Sequence, residues 1–485
     1  MNHPMDRQAA LATGSVGRLL MRLALPCITA QVVNMLYNVV DRIYIGHIPF
    51  AGTDALTGVG VCFPLITLIT AFSALFGMGG APRASIAMGR GDQATAERVL
   101  GNCLAAMLAL GVVLTVAVRV SGAPLLLLFG ASASTLPYSL SYLNIYVLGS
   151  VFVMVSVGLN AFLTAQGFAA VAMKTTLIGA VLNIALDPLF IFAFGLGAPG
   201  AAAATVLSQA VSAAWVLRFL FGKKNVWPIR RENLRPRWAV LGPVLALGLS
   251  PFIMQSTESL LSICFNASLQ RYGGDAAVGT MSILASVMQI IMLPMQGLAQ
   301  GAQPILSYNW GARNFARVRR TFLLFLACAG GFSTAMWALV QLFPQAFAGI
   351  FSSDPALVAA TAASAHVYLG CVFASGVQTA CQHSFLALGQ SKQSLLLALL
   401  RKVILLIPLI FILPNFFADK VFAVFLAEPV ADLAAAAVTC TTFALWFGRA
   451  RLTAPPTRRG KPAGIRLFRR IRRPFPWKRE RGVFL

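Results

Sequence analysis

Residues 176–194 read TLIGAVLNIALDPLFIFAF. With its flanks the run is long and apolar enough to cross a bilayer as a helix of about 20 residues. Yet it carries a carboxylate, Asp187, with a helix breaker, Pro188, directly behind it. Ionisable groups inside a span are costly, and they serve function or find partners within the bundle. Asn183 stands four residues before Asp187, so the two share one helix face. Pro188 has no N–H to donate, and its ring clashes with the carbonyl of Ile184 one turn back, leaving that carbonyl free. A carboxylate, an amide oxygen and a freed carbonyl on one side of a helix are hard ligands of the kind that hold Na⁺ at interrupted helices. The same carboxylate could take up a proton instead. An aspartate satisfied by neighbouring helices at a structural kink is the third reading.

The apolar pattern continues in both directions. Of 485 residues, 58% are hydrophobic and 11% charged, about half the charged share of a soluble protein, and the mean hydropathy is +0.78. Twelve segments of spanning length follow one another, at residues 19–46, 55–81, 99–129, 137–165, 170–194, 199–221, 239–270, 276–303, 320–347, 357–389, 395–417 and 420–447. The fold class is therefore an all-α integral membrane protein. The first segment is too long for a cleavable signal and carries Gln31, Asn34, Asn38 and Asp41, so it reads as the first span. The eight cysteines include no C-x-x-C pair and all fall in apolar segments, as small buried hydrophobes do. The chain has no H-x-x-x-H pair, no Walker A sequence and no G-x-S-x-G, so an intramembrane enzyme finds no catalytic constellation here.

The formal charge of +24 is distributed by side rather than along the chain. With the N-terminus placed in the cytoplasm, 34 of the 38 Lys and Arg fall on that side, Lys174, Arg401 and Lys402 among them, whereas Arg42, Arg119, Arg271 and Lys420 fall on the other. This is the positive-inside pattern. It requires an even number of spans and puts both termini in the cytoplasm, as in a multi-pass protein of a bacterial inner membrane. The tail GIRLFRRIRRPFPWKRERGVF, residues 464–484, interleaves arginine with Leu467, Phe468 and Ile471. It reads as a topology anchor or as a patch drawn to anionic inner-leaflet lipid. No nucleic-acid module surrounds it, so no nucleic-acid partner is expected.

The two halves repeat one another. LALPCITAQ (23–31) aligns with LGLSPFIMQ (247–255), GTDALTG (52–58) with GGDAAVG (273–279), GGAPRASIAMGRGD (79–92) with QGAQPILSYNWGARN (300–314), and NAFLTAQG (160–167) with HSFLALGQ (383–390). Six spans per copy keep both copies in one orientation, as parallel repeats about an axis along the membrane normal. The expected organisation is a cytoplasmic N-terminus (1–18), an N-lobe of six spans (19–221), a polar linker (222–238), a C-lobe of six spans (239–447) and the basic tail (448–485), with a cavity between the lobes.

Polar residues mark that cavity. Gln31, Asn34, Tyr37, Asn38 and Asp41 are spaced 3, 3, 1 and 3 and form one stripe on the first span. Such a stripe cannot face lipid, and it lines either a cavity or a hydrogen-bonded helix seam. Pro26 should kink the same helix near its start. Gln255, Glu258, Ser262 and Asn266 form the counterpart on the seventh span. Asp41 aligns with Phe265, so ion handling is expected mainly in the first half.

These residues resemble the multidrug and toxic compound extrusion (MATE) family, on the branch of bacterial multidrug pumps and the DNA-damage-inducible type. The likeness rests on LALP and YNVVDRIYIGH in the first span, ALTGVGVCFPL in the second and GRGDQATAERV after it. LNIALDPLFIFAFGLGAPGAAAATVLSQ carries it across the fifth and sixth, and YGGDAAVGTMSI, MQGLAQGAQPILSYNWGARNFARVRR and AEPVAD in the second half. It covers roughly residues 15–447. The resemblance implies twelve helices in two six-helix lobes, and export of amphipathic, often cationic compounds driven by inward H⁺ or Na⁺. It implies a cation site at Asp41, Asn183, Asp187 and Thr205, with Tyr37 and Asn160 as N-lobe cavity residues, and it matches Glu258 to a second-lobe acid. The tenth span lacks the second acid of that site, and the long Arg-rich tail also departs from the family's pattern.

The expected function is secondary active antiport of amphipathic cations against H⁺ or Na⁺, with no cofactor beyond the coupling ion and a monomeric protein. Gln31, Asn34, Tyr37, Asn38, Asn160, Gln255 and Glu258 are expected in the substrate cavity. A lipid-linked saccharide flippase of the same superfamily is the alternative, and it would require a cationic cavity.

Overall fold

The computed structural model describes residues 4–48, 52–222 and 225–452. The lipid or anchor reading of the tail from 453 onward lies outside these residues. All regular elements among the described residues are helical. Ten of them are continuous helices apolar and long enough to cross a bilayer, and Pro355–Tyr368 with Val372–Ala387 forms another span bent by 50°. One of the ten, Trp238–Gly311, is 74 residues long, far beyond any bilayer, and at Gly274 its backbone leaves helical geometry (φ 62°, ψ −159°). Counted as two, the seventh and eighth, it brings the spans to twelve.

The repeat is visible in the backbone. Asp92 caps the third span, Gln93–Leu128, accepting from the Thr95 N–H at 3.0 Å and the Thr95 hydroxyl at 2.6 Å. Those donors hold its carboxyl below the usual carboxylate range. Asn314 caps the ninth span, Phe315–Leu342, in the same way through the Arg317 N–H. The residue before each cap is left-handed: Gly91 (φ 84°) in the first half and Arg313 (φ 55°) in the second. Each fourth-to-fifth and tenth-to-eleventh connection likewise turns on a positive-φ glycine, Gly167 and Gly389.

The first span, Val16–Gly46, is assigned as helix from end to end with Pro26 inside it. The N-terminus contributes a further helix, Pro4–Thr13, whose last carbonyls are held by the second half. Asn309 Nδ2 and Arg317 Nε both donate to the Leu11 carbonyl at 3.1 Å, a cation at a helix C-terminus where the helix dipole favours it. The polar stretch after the sixth span is docked on the first half through its described residues. Trp227 is buried, the N–H groups of Val226 and Trp227 donate to Gln166 Oε1, and Arg230 reaches Glu97 at 3.2 Å.

Arg401 and Lys402, expected among the cytoplasmic-side charges, instead lie midway along the eleventh span, Ser391–Asn415. They sit on a π-helical stretch, Leu400–Leu406. The fifth span has its own π stretch, Leu189–Ala193, immediately after Pro188. Removing these two residues from the count leaves the sign of the charge asymmetry unchanged.

The lobes interlock at one end. Leu19, Leu20, Leu23, Ala24 and Cys27 of the first span share a core with Ala302, Ile305, Phe325 and Phe385 of the second half. In return, Leu241 and Val244 of the seventh span join the core of the first half. Glycines make the closest approaches there. A Cβ on Gly248 would strike the Leu75 carbonyl, and one on Gly89 the Tyr308 carbonyl. At the opposite end, Gly46, Gly58, Gly273 and Gly279 meet only residues of their own half.

Candidate functional site

Between the lobes lies a cavity of about 930 Å³, lined from both halves. Gln31, Asn34, Tyr37, Asn38, Asp41, Asn160, Thr205, Gln255 and Glu258 all line it. Ser262 and Asn266, which continue the stripe of the seventh span, are exposed and lie outside it. Periodicity explains the first group: residues three and four apart on a helix face one way, and that face is the one turned between the lobes.

Asn183 and Asp187 do not line the cavity; they are buried in the N-lobe behind it. Asn183 Nδ2 donates to Asp187 Oδ1 at 3.1 Å and to Thr205 Oγ1 at 3.3 Å. The fifth span thus joins its own one-turn pair to the sixth span, Ala198–Phe221. Beyond the proline the Leu189 N–H turns to the Leu186 carbonyl, where a regular α-helix would take it to Ala185. Asp41 reaches in from the first span, and its carboxyl faces that of Asp187.

The charge balance of this cluster is its distinctive property. Asp41 Oδ1, Asp187 Oδ2 and Asn183 Oδ1 are buried oxygens with no donor among the described residues. Neither aspartate has a salt bridge there, and Arg42, adjacent in sequence, turns over the Phe63 ring at 5.4 Å. Two buried carboxylates facing each other repel, and an unpaired buried carboxylate costs several kcal/mol. A positive charge among these oxygens, a proton or a small hard cation, removes both penalties. The donor set of carboxylate, amide and hydroxyl oxygens fits either.

The second lobe is organised oppositely. Lys402 donates to Glu258 Oε1 and, at 2.7 Å, to the Met254 carbonyl. Arg401 Nε and Nη2 bind Asp432 Oδ1 at 2.7 and 2.6 Å, and Nη2 reaches Glu428 at 3.2 Å. Three acids and two bases are therefore paired within the lobe. Of the acids within spans, Asp41 and Asp187, the two without a salt bridge among the described residues, are in the first half. By the repeat offset, Glu428 and Asp432 stand where the sixth span has Thr205 and Gln209. That i, i+4 pair was legible in sequence; its partners on another helix were not. An overlooked feature is Tyr138, Tyr142 and Tyr146 at spacing four on the fourth span. Tyr142 and Tyr146 are buried, stacked at 5.9 Å and lie on the cavity wall.

Twelve spans in two repeated lobes, enclosing a polar cavity beside unpaired carboxylates, make this a multi-pass membrane transporter. More particularly, the chain belongs to the MatE family, whose model matches it twice, over residues 26–189 and 251–412. The multidrug export protein MepA of Staphylococcus haemolyticus is 23% identical over 86% of this chain and 91% of its own length. That of Staphylococcus aureus is 24% identical over 87% and 92%. Among solved structures, a MATE protein in the bent conformation is similar with a TM-score of 0.86 at 23% identity, over 92% of this chain and 98% of the other. A multidrug resistance MATE family transporter of the MOP superfamily in an outward-facing conformation gives 0.85 at 23% identity, over 92% and 98%.

Proposed function

We propose that this protein is a secondary active exporter that exchanges amphipathic, cationic compounds for inward-moving H⁺ or Na⁺. The carboxylate pair of Asp41 and Asp187 carries this reading: Asp187 is buried, each acid has an oxygen out of reach of water and without a hydrogen-bond partner, neither forms a salt bridge among the described residues, and the pair adjoins the inter-lobe cavity through Asp41 and Thr205. The resemblance to proteins named for multidrug export supports the direction of transport and the breadth of substrate. Both termini are assigned to the cytoplasm of a bacterial inner membrane, following the charge asymmetry.

With that orientation the interlocked end is cytoplasmic and the cavity is open outward. An external cation enters among Asp41, Asn183, Asp187 and Thr205 and neutralises the pair. The first span carries both Asp41 and the cavity stripe, so neutralisation changes how the wall meets a bound organic cation. Exchange follows if ion and substrate favour different states of the lobes, since coupling is no more than this difference in affinity. A flippase for anionic lipid-linked saccharides would need free cations in the cavity. Among the lining residues Arg42 is the single arginine or lysine, beside the acids Asp41 and Glu258, and Arg401 and Lys402, midway along the eleventh span, are held by Glu258, Glu428 and Asp432.

The test is efflux of a cationic dye from proteoliposomes under pH and Na⁺ gradients imposed separately. One gradient should drive uphill transport in the wild type, and Asp187→Asn should abolish it while the protein remains inserted and monodisperse. Undiminished uphill efflux by Asp187→Asn would refute the coupling role.

A further inference from the structure

The eighth span contains MQIIMLPMQGLAQGAQP, residues 288–304. Gln289, Gln296, Gln300 and Gln303 are 7, 4 and 3 residues apart. On an α-helix they fall within an arc of about 60° and run about 21 Å along the axis. All four line the cavity, where Gln31 and Gln255 join them. Gln303 Nε2 is buried without an acceptor, and the side chains of Gln289, Gln296 and Gln300 take part in no hydrogen bond among the described residues. The second span, the repeat mate of the eighth, turns Thr67, Ala74, Met78 and Ala81 to the same cavity. The glutamine row therefore belongs to one half only. It faces open volume rather than a neighbouring helix, so helix packing does not account for it.

Each primary amide presents two donors and an acceptor. An apolar body pressed against the row strips water from these groups and returns nothing, and each stranded amide weakens binding about tenfold. A body bearing hydroxyl, carbonyl or amide groups replaces the lost water bonds instead. The acidic group of the second lobe that faces the cavity, Glu258, is already paired with Lys402, which leaves Asp41 on the opposite wall for a positive centre.

Resting on the exporter reading, we infer that the eighth-span glutamines determine specificity. The exported class is cations that carry several hydroxyl, carbonyl or amide groups, held with the charge toward Asp41 and the hydrogen-bonding body along Gln289, Gln296 and Gln300. A bare lipophilic cation is the poorer ligand.

Two singly charged probes separate these classes: doxorubicin, with one amine and several hydroxyl and carbonyl groups, and tetraphenylphosphonium, which has no hydrogen-bonding group. Binding to the protein in nanodiscs and transport in proteoliposomes are measured for each. Wild-type protein should prefer doxorubicin. The triple variant Gln289→Met, Gln296→Met and Gln300→Met keeps side-chain size and removes the amides. It should bind doxorubicin at least about tenfold more weakly and tetraphenylphosphonium as well as before or better. Gln296→Met alone should show the same divergence in smaller degree and serves if the triple variant does not fold. Wild-type protein without a preference for doxorubicin, or variants that shift both probes alike or neither, would overturn the inference. Selective binding with no transport under any gradient would sink the exporter reading and leave the binding site standing.

Discussion

Arg401 and Lys402 are neighbours in sequence with different duties. Arg401 lies between Glu428 and Asp432, whose side chains are only 8% and 3% exposed. Its removal leaves two buried carboxylates without an ion-pair partner, a change that costs about 3–5 kcal/mol. Arg401→Met should therefore sharply lower the thermal unfolding midpoint in detergent, and adding Glu428→Gln and Asp432→Asn should restore much of it. Lys402 is buried, but its partner Glu258 is 65% exposed to the cavity, where water can solvate the orphaned carboxylate. Lys402→Met should shift the same midpoint far less, and equal losses for the two variants would contradict this assignment. The acids Glu258, Glu428 and Asp432 were recognisable as costly groups in apolar runs. Their pairing was hidden because the bases sit on the eleventh span and the acids on the seventh and twelfth, and no periodicity links separate helices.

At the scale of elements, most of the fold was legible. Spans follow from runs of apolar residues, caps from Asp92 and Asn314, and the polar stripe of the first span from spacings of three and four. Breaks were harder. The bend in the tenth span falls around Gly370, a single small residue in an apolar run, and the passage from seventh to eighth span rests on Gly274. Its φ of 62° and ψ of −159° belong to a region that is essentially glycine's alone. Gly274→Ala should cost about 1–3 kcal/mol, read as a lower unfolding midpoint, whereas Gly279→Ala, on regular helix beside the flexible Leu357 side chain, should cost less. The π stretches at Leu189–Ala193 and Leu400–Leu406 had only one sequence signal, Pro188.

At the scale of the molecule, the glycines decide which end is shut. Gly89 against the Tyr308 carbonyl and Gly248 against that of Leu75 allow the lobes to meet backbone to backbone at the interlocked end. A branched side chain at either place acts as a wedge. Gly89→Val should lengthen the distance between spin labels placed on the two lobes at that end, measured by double electron–electron resonance, and should slow efflux. An unchanged distance distribution would count against closure by these contacts.

The sequence by itself determined the membrane environment, twelve spans, the repeat and the faces that carry polar side chains, because each follows from local chain length, hydropathy and helical period. Only the tertiary structure decided which charges meet. It sets Asp41 against Asp187 and leaves them unpaired, neutralises the second lobe with Arg401 and Lys402, and passes the starts of the first and seventh spans into opposite halves. Contacts between helices distant in sequence depend on how whole surfaces pack, and a residue's own neighbours in the chain carry almost none of that information.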